Sequence, residues 1–153
     1  MKYILAQNSN NTVPASFQDA SQFRATFNKA IELPPFCQMC IVSSTVVDSN
    51  APKLHYVEVT NLPLQSVMGN GEKGGEPKLL GPVVSSVGSG PAGGGGEVYG
   101  VKNWVDLDNP SPLVITDLYL KLTNQDGELS SGLSLQTEIL IGYRAKGQSL
   151  KVE

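Results

Sequence analysis

The chain is poor in charge. Asp, Glu, Lys and Arg make up 16% of its 153 residues, below the quarter or so usual in soluble domains. Lysine and arginine total 11 against 14 acidic residues, for a formal net charge of −3. Arginine occurs only at Arg24 and Arg144, and there is no basic run. Binding to nucleic acid relies on cations that neutralise phosphates, so no nucleic-acid partner is expected. Low charge beside 40% hydrophobic residues is the reverse of the disordered class. Most of the chain is therefore expected to fold, and its length suits a single domain.

Cysteine and histidine are equally scarce. A disulfide-stapled secreted domain needs more than Cys37 and Cys40. In a strand, residues three apart point to opposite faces, so these two are not expected to bond to each other. Both read as reduced packing residues. A structural zinc site wants four ligands, and Cys37, Cys40 and the single histidine, His55, make three. No metal is expected. A Ser-His-Asp or Cys-His arrangement would have to use His55, whose place at a strand entrance after Pro52 reads as a surface position. Asp106 and Asp108 share a strand face, but where a strand runs into a turn solvated aspartates are ordinary. No catalytic residue is assigned, and an enzyme is not expected. No run approaches the roughly 20 apolar residues of a membrane span, and the apolar stretch at 1–6 is too short for a signal peptide.

Glycine is what the chain has in plenty. Residues 69–100 hold 12 of the 16 glycines. Gly88-Ser89-Gly90-Pro91-Ala92-Gly93 matches the dinucleotide string G-x-G-x-x-G, but that motif needs a helix to follow. Three more glycines follow instead. The GNGEKGG stretch lacks the Lys-Ser/Thr ending of a P-loop. No cofactor is expected, and the segments about 69–76 and 88–97 read as flexible loops. Asn10-Asn11-Thr12 is a glycosylation string that matters only for a secreted protein. Trp104, the sole tryptophan, reads as a core plug between sheets.

The remaining pattern is strand. In 23–33, Phe23, Ala25, Phe27, Ile31 and Leu33 share one parity, and Pro34-Pro35 ends the run. The stretch 38–47 is β-branched and apolar on both parities near its middle, as in a buried central strand. In 55–64, Val57 and Val59 face inward. Residues 79–87 form a strand between the glycine loops, and 98–107 the next. In 114–123, Val114, Leu118, Leu120 and Leu122 are expected on one face. Asn124-Gln125-Asp126-Gly127 supplies a turn. In 133–143, Leu133, Leu135, Thr137, Ile139, Ile141 and Tyr143 alternate with polar residues. Residues 1–21 read as an N-terminal arm, 22–146 as the folded domain and 147–153 as a tail. Seven or eight turn-punctuated strands with no convincing long helix indicate an all-β sandwich or barrel.

Three stretches resemble a known family. They are "IELPPFCQMCIVSST" reached from the strand at Phe23, "YVEVTNLPLQSVMGNGEKGGEPKLLGPV", and "NWVDLDNPSPLVITDLYLKLTNQDGELSSGLSLQTEILIGYR". Their order is similar to that in the jelly-roll capsid proteins of virophages, polinton-like viruses and related large DNA viruses. The glycine-rich segment at 88–96 departs from that pattern. The resemblance implies a single antiparallel jelly-roll β-sandwich of about eight strands. It implies a structural virion protein, penton-like or minor capsid, since one jelly roll fills this chain. The implied partners are its own copies, as a pentamer or a trimer, and the major capsid protein of the same virus. The implied location is the virion, assembled inside the host cell. The alternative is a receptor- or carbohydrate-binding fibre or spike head, with Tyr99, Trp104 and Tyr119 as its candidate contacts.

Overall fold

A computed structural model describes residues 1–8, 21–48, 53–65, 78–87, 103–131, 133 and 137–147. Among these, the chain is all β, with eleven strands: β1 (Lys2–Gln7), β2 (Gln22–Leu33), β3 (Cys37–Thr45), β4 (Val47–Asp48), β5 (Leu54–Val59), β6 (Leu64–Gln65), β7 (Leu79–Val84), β8 (Ser86–Val87), β9 (Val105–Leu107), β10 (Leu113–Thr123) and β11 (Glu138–Ala145). No helix among them is long and apolar enough to cross a membrane.

The strands form a β-sandwich. One sheet has the order β1-β11-β3-β9-β6 and the other β2-β10-β5-β7. Every pair within these two sheets is antiparallel. A small parallel pair, β4 with β8, runs beside them. Setting aside the three two-residue strands leaves eight. The first of these pairs with the eighth, the second with the seventh, the third with the sixth and the fourth with the fifth. The core fills the space between the sheets, with Phe23, Leu33, Met39, Leu118, Leu120, Leu122, Ile139 and Ile141 fully buried.

Two irregularities set which side chains reach that core. In β3 the register against β11 shifts at Val42, so Leu140 faces Ser43 while Ile141 faces Ile41. Before this bulge Cys37, Met39 and Ile41 point inward; after it Ser44 and Val46 do. The apolar character on both parities thus reflects a change of phase as well as central position. In the β2–β10 pair, residues 27–30 stand opposite Thr116 alone. Leu113 and Ile115 therefore pack inward on one side of the bulge, and Leu118, Leu120 and Leu122 on the other. This corrects the expected face of β10: Val114 is exposed.

The N-terminal boundary is also corrected. Lys2–Gln7 is not an arm but strand β1, paired along its length with β11. Its alternation is short, with Ile4 and Ala6 inward, and the polar stretch that follows hides it from a periodicity reading. Residues 9–20, the glycine segment 88–97, the glycosylation string at 10–12 and the tail from 148 lie outside the described residues, as does the whole loop at 69–76 together with its flanks.

Candidate functional site

Four chain segments converge on His55 at one end of the sandwich. Val57 and Val59 face the core, and β5 carries His55 on the same parity. The imidazole is accordingly buried, at 2% exposure, which corrects the expected surface position. The parity is legible in the sequence; the cover that Ser85, Ser130 and Asp48 give this strand entrance is not.

Two serine hydroxyls flank the ring nitrogens. Ser85 Oγ accepts from the Lys53 amide at 2.9 Å and donates to the Lys53 carbonyl at 3.2 Å. It also lies 3.2 Å from His55 Nε2, and the Ser130 hydroxyl lies 2.7 Å from Nδ1. A neutral ring donates from one nitrogen and accepts at the other. The fully buried carboxylate of Asp48 stands 3.7 Å from Nε2 and 3.8 Å from Lys53 Nζ. Burial holds the His55 pKa below its ordinary 6.5, opposed by Asp48 and assisted by Lys53. Ser-His-Asp atoms are thus gathered, and their geometry does not make a nucleophile. The carboxylate lies beyond hydrogen-bond distance of the ring, and Ser130 is buried along with the histidine.

A second feature is the free side of β1. Among the described residues it is an edge strand, bonded to β11. With Ile4 and Ala6 inward, Tyr3 and Leu5 stand on the outer face, 55% and 50% exposed, beside Met1 at 43%. Tyr3 lies across from Gly142 and Leu5 from Leu140. A Cβ built on Gly142 would meet Met1 Sδ at 3.0 Å, Val42 Cγ2 at 3.1 Å and Cys40 Sγ at 3.5 Å. The outer surface around Gly142 is therefore apolar, from Met1 to Cys40 and Val42. A cavity of about 440 Å³, lined by Met1, Lys2, Glu32, Pro34, Tyr143, Arg144 and Ala145, opens beside it.

A third feature is Trp104, which is half-buried and precedes β9. It does not plug the core. The Arg144 guanidinium lies 3.8 Å from its ring centroid, and Arg144 Nε donates to Gln38 Oε1 at 3.2 Å. Gln38 Nε2 donates to Asp106 Oδ1 at 2.6 Å, and Lys146 Nζ to Asp106 Oδ2 at 2.7 Å. The Lys146 and Gln38 bonds hold the Asp106 carboxyl below its ordinary range. Asp108 is exposed beyond the end of β9 and shares none of these bonds. Tyr119 lies under Arg24 on the other sheet, at 5.3 Å, where Arg24 Nε donates to Asp117 Oδ2 at 2.8 Å. Tyr99 is outside the described residues.

Cys37 and Cys40 are both buried and in no disulfide. Cys37 belongs to the core between the sheets, and burial pushes its thiol up to about 11. Cys40 faces the opposite way, toward Gly142. Among the described residues no three His, Cys, Asp or Glu side chains are grouped to hold a metal ion. Asp48, Ser85 and Ser130 were not distinguishable in the sequence from other turn residues.

No family model, no curated protein and no solved structure matches this chain.

Proposed function

We propose that this protein is a structural virion protein, a single jelly roll acting as a penton-like or minor capsid subunit that assembles with its own copies and with other capsid proteins. The observation that carries the reading is the nested order of pairing, first with eighth inward to fourth with fifth. A jelly roll is a long antiparallel ribbon paired in that nested way and rolled into two sheets. The sequence resemblance points to the same architecture. The exposed apolar strip of Met1, Tyr3 and Leu5 on an edge strand supports assembly, because an open edge with exposed apolar side chains is a template for contact with another chain. Cyclic symmetry would close such contacts into a ring.

The half-exposed Trp104, set among Gln38, Asp106, Arg144 and Lys146, favours a second reading, a receptor- or carbohydrate-binding head. An aromatic face beside polar groups is the usual make-up of such a contact. Light scattering for mass and electron microscopy for symmetry distinguish the two. A closed ring, with a pentamer favoured, is the expected result. A trimer would move the subunit from vertex base to spike or minor capsid protein. A strict monomer that binds a glycan and no capsid protein would overturn the capsid reading.

A further inference from the structure

We propose that His55 is an acid-operated latch: its neutral ring ties the connection after β10 to β5 and to the β4–β8 ribbon, and uptake of a proton releases that connection.

The elements concerned are short. β4 and β8 have two residues each and form a parallel pair that belongs to neither large sheet. Asp48 in β4 also bridges Leu133, in the connection between β10 and β11. Ser130, in the same connection, is held by its amide to the Leu122 carbonyl at 2.9 Å and by its hydroxyl to His55 Nδ1 at 2.7 Å. Ser85 joins β7 to β8 and holds the segment before β5 through Lys53. The imidazole is thus the one ring on which Ser130 and Ser85 both close.

The direction of these bonds makes the closure sensitive to one proton. In the latch, Ser85 donates to the Lys53 carbonyl and accepts from Nε2, which leaves Nδ1 to accept from Ser130. Protonation occurs at Nδ1. That nitrogen then becomes a donor facing the Ser130 hydroxyl, which was itself donating. The hydroxyl must turn its hydrogen away into a site where Ser130 is 7% exposed, and a buried donor without an acceptor is unfavourable. The charged groups that face the ring are Asp48 from β4 and Lys53 from the segment before β5. Ser85 and Ser130 bring only hydroxyls. Asp48 attracts the new cation and Lys53 repels it, while burial of the ring opposes any charge there at all. Relief comes by admitting water, and the segment that carries Ser130 is the one to move.

The experiment uses the whole chain. His55 is its only histidine, so the imidazole proton resonances titrate without ambiguity. They are followed alongside amide hydrogen exchange at about pH 7.5 and about pH 5, corrected for intrinsic rates. The expected result is a His55 titration below the ordinary histidine value. Protection should be lost in step with it at 46–48, 53–55 and 129–133, while the β2–β10 and β3–β11 pairs stay protected. Each unit of displacement of the titration corresponds to about tenfold in the opening equilibrium. His55→Gln should remove the pH dependence of exchange in those segments. A titration at or above the ordinary value, acid exchange spread evenly over both sheets, or an unchanged acid response in His55→Gln would each overturn the latch. If His55→Gln does not fold, the wild-type titration and exchange map decide the question by themselves.

Discussion

The backbone amide of Phe36 donates to the carbonyl of Asn109 at 2.8 Å, joining the β2–β3 turn to the β9–β10 turn. Asn109 does more from the same place. Its Oδ1 accepts from the Cys37 amide at 2.9 Å, and its Nδ2 donates to the Pro34 carbonyl at 2.7 Å. The Phe36 carbonyl in turn accepts from the Lys146 amide at 2.9 Å. Held on both sides, Phe36 adopts a φ of 50°, in the left-handed region that L-residues avoid.

Asn109→Ala should therefore destabilise the fold by about 2–3 kcal/mol, because it strands a buried amide and a carbonyl that the side chain now satisfies. Phe36→Gly should behave oppositely. The ring is 57% exposed and contributes little packing, while glycine relieves the strained φ. Stability should stay level or rise by up to about 1 kcal/mol. Chemical denaturation of the two variants checks both, and a loss of several kcal/mol for Phe36→Gly would show that the ring is packed.

In β11, Ile141 is fully buried between the sheets and Glu138 is exposed. Ile141→Ala should cost about 2–5 kcal/mol, the range for deleting a buried aliphatic side chain. Glu138→Ala should change stability by less than about 0.5 kcal/mol despite its bond to Gln7. Urea midpoints of the two variants read the difference directly.

Gly127 takes a φ of 77° in the turn after β10, where Asn124 Oδ1 accepts from the amides of Asp126 and Glu128. Alanine there should destabilise by about 1 kcal/mol or more, since the native conformation is one that only glycine adopts without strain. Thermal melting of Gly127→Ala is the check.

Stability should also fall with acid in a particular window. The folded-state pKa of His55 lies below its ordinary 6.5. As pH drops through that value the unfolded chain takes up the proton first, so the contribution of a neutral His55 is complete above the window and declines below it. Unfolding free energies measured across the mildly acidic range should slope downward there, and a flat profile would contradict the buried ring.

For assembly, Leu5→Lys should leave the subunit folded, with a stability change of about 0.5 kcal/mol or less, because the side chain is half exposed. It should shift the mass in solution toward monomer, since it places a charge on the apolar edge. Sedimentation of the variant beside the parent chain reads this. An oligomer unaffected by the change would direct attention to another surface.

Much of this protein is legible in its sequence. The alternation at Thr137, Ile139, Ile141 and Tyr143, and at Phe23 and Ala25, places inward faces because a strand has a period of two. The turn at Asp126-Gly127 follows from glycine's freedom at positive φ. What the local pattern could not decide depends on partners distant in the chain. The bulges at Val42 and beside Thr116 are changes of register between two strands, so neither strand alone records them, and Val114 was misplaced for that reason. Trp104 lies outside the core because Arg144, forty residues on, arrives to cover its ring. The setting of His55 needed Asp48, Ser85 and Ser130 to be brought to one point. A single strand determines which way a side chain points, and only the packed sheets determine what it meets there.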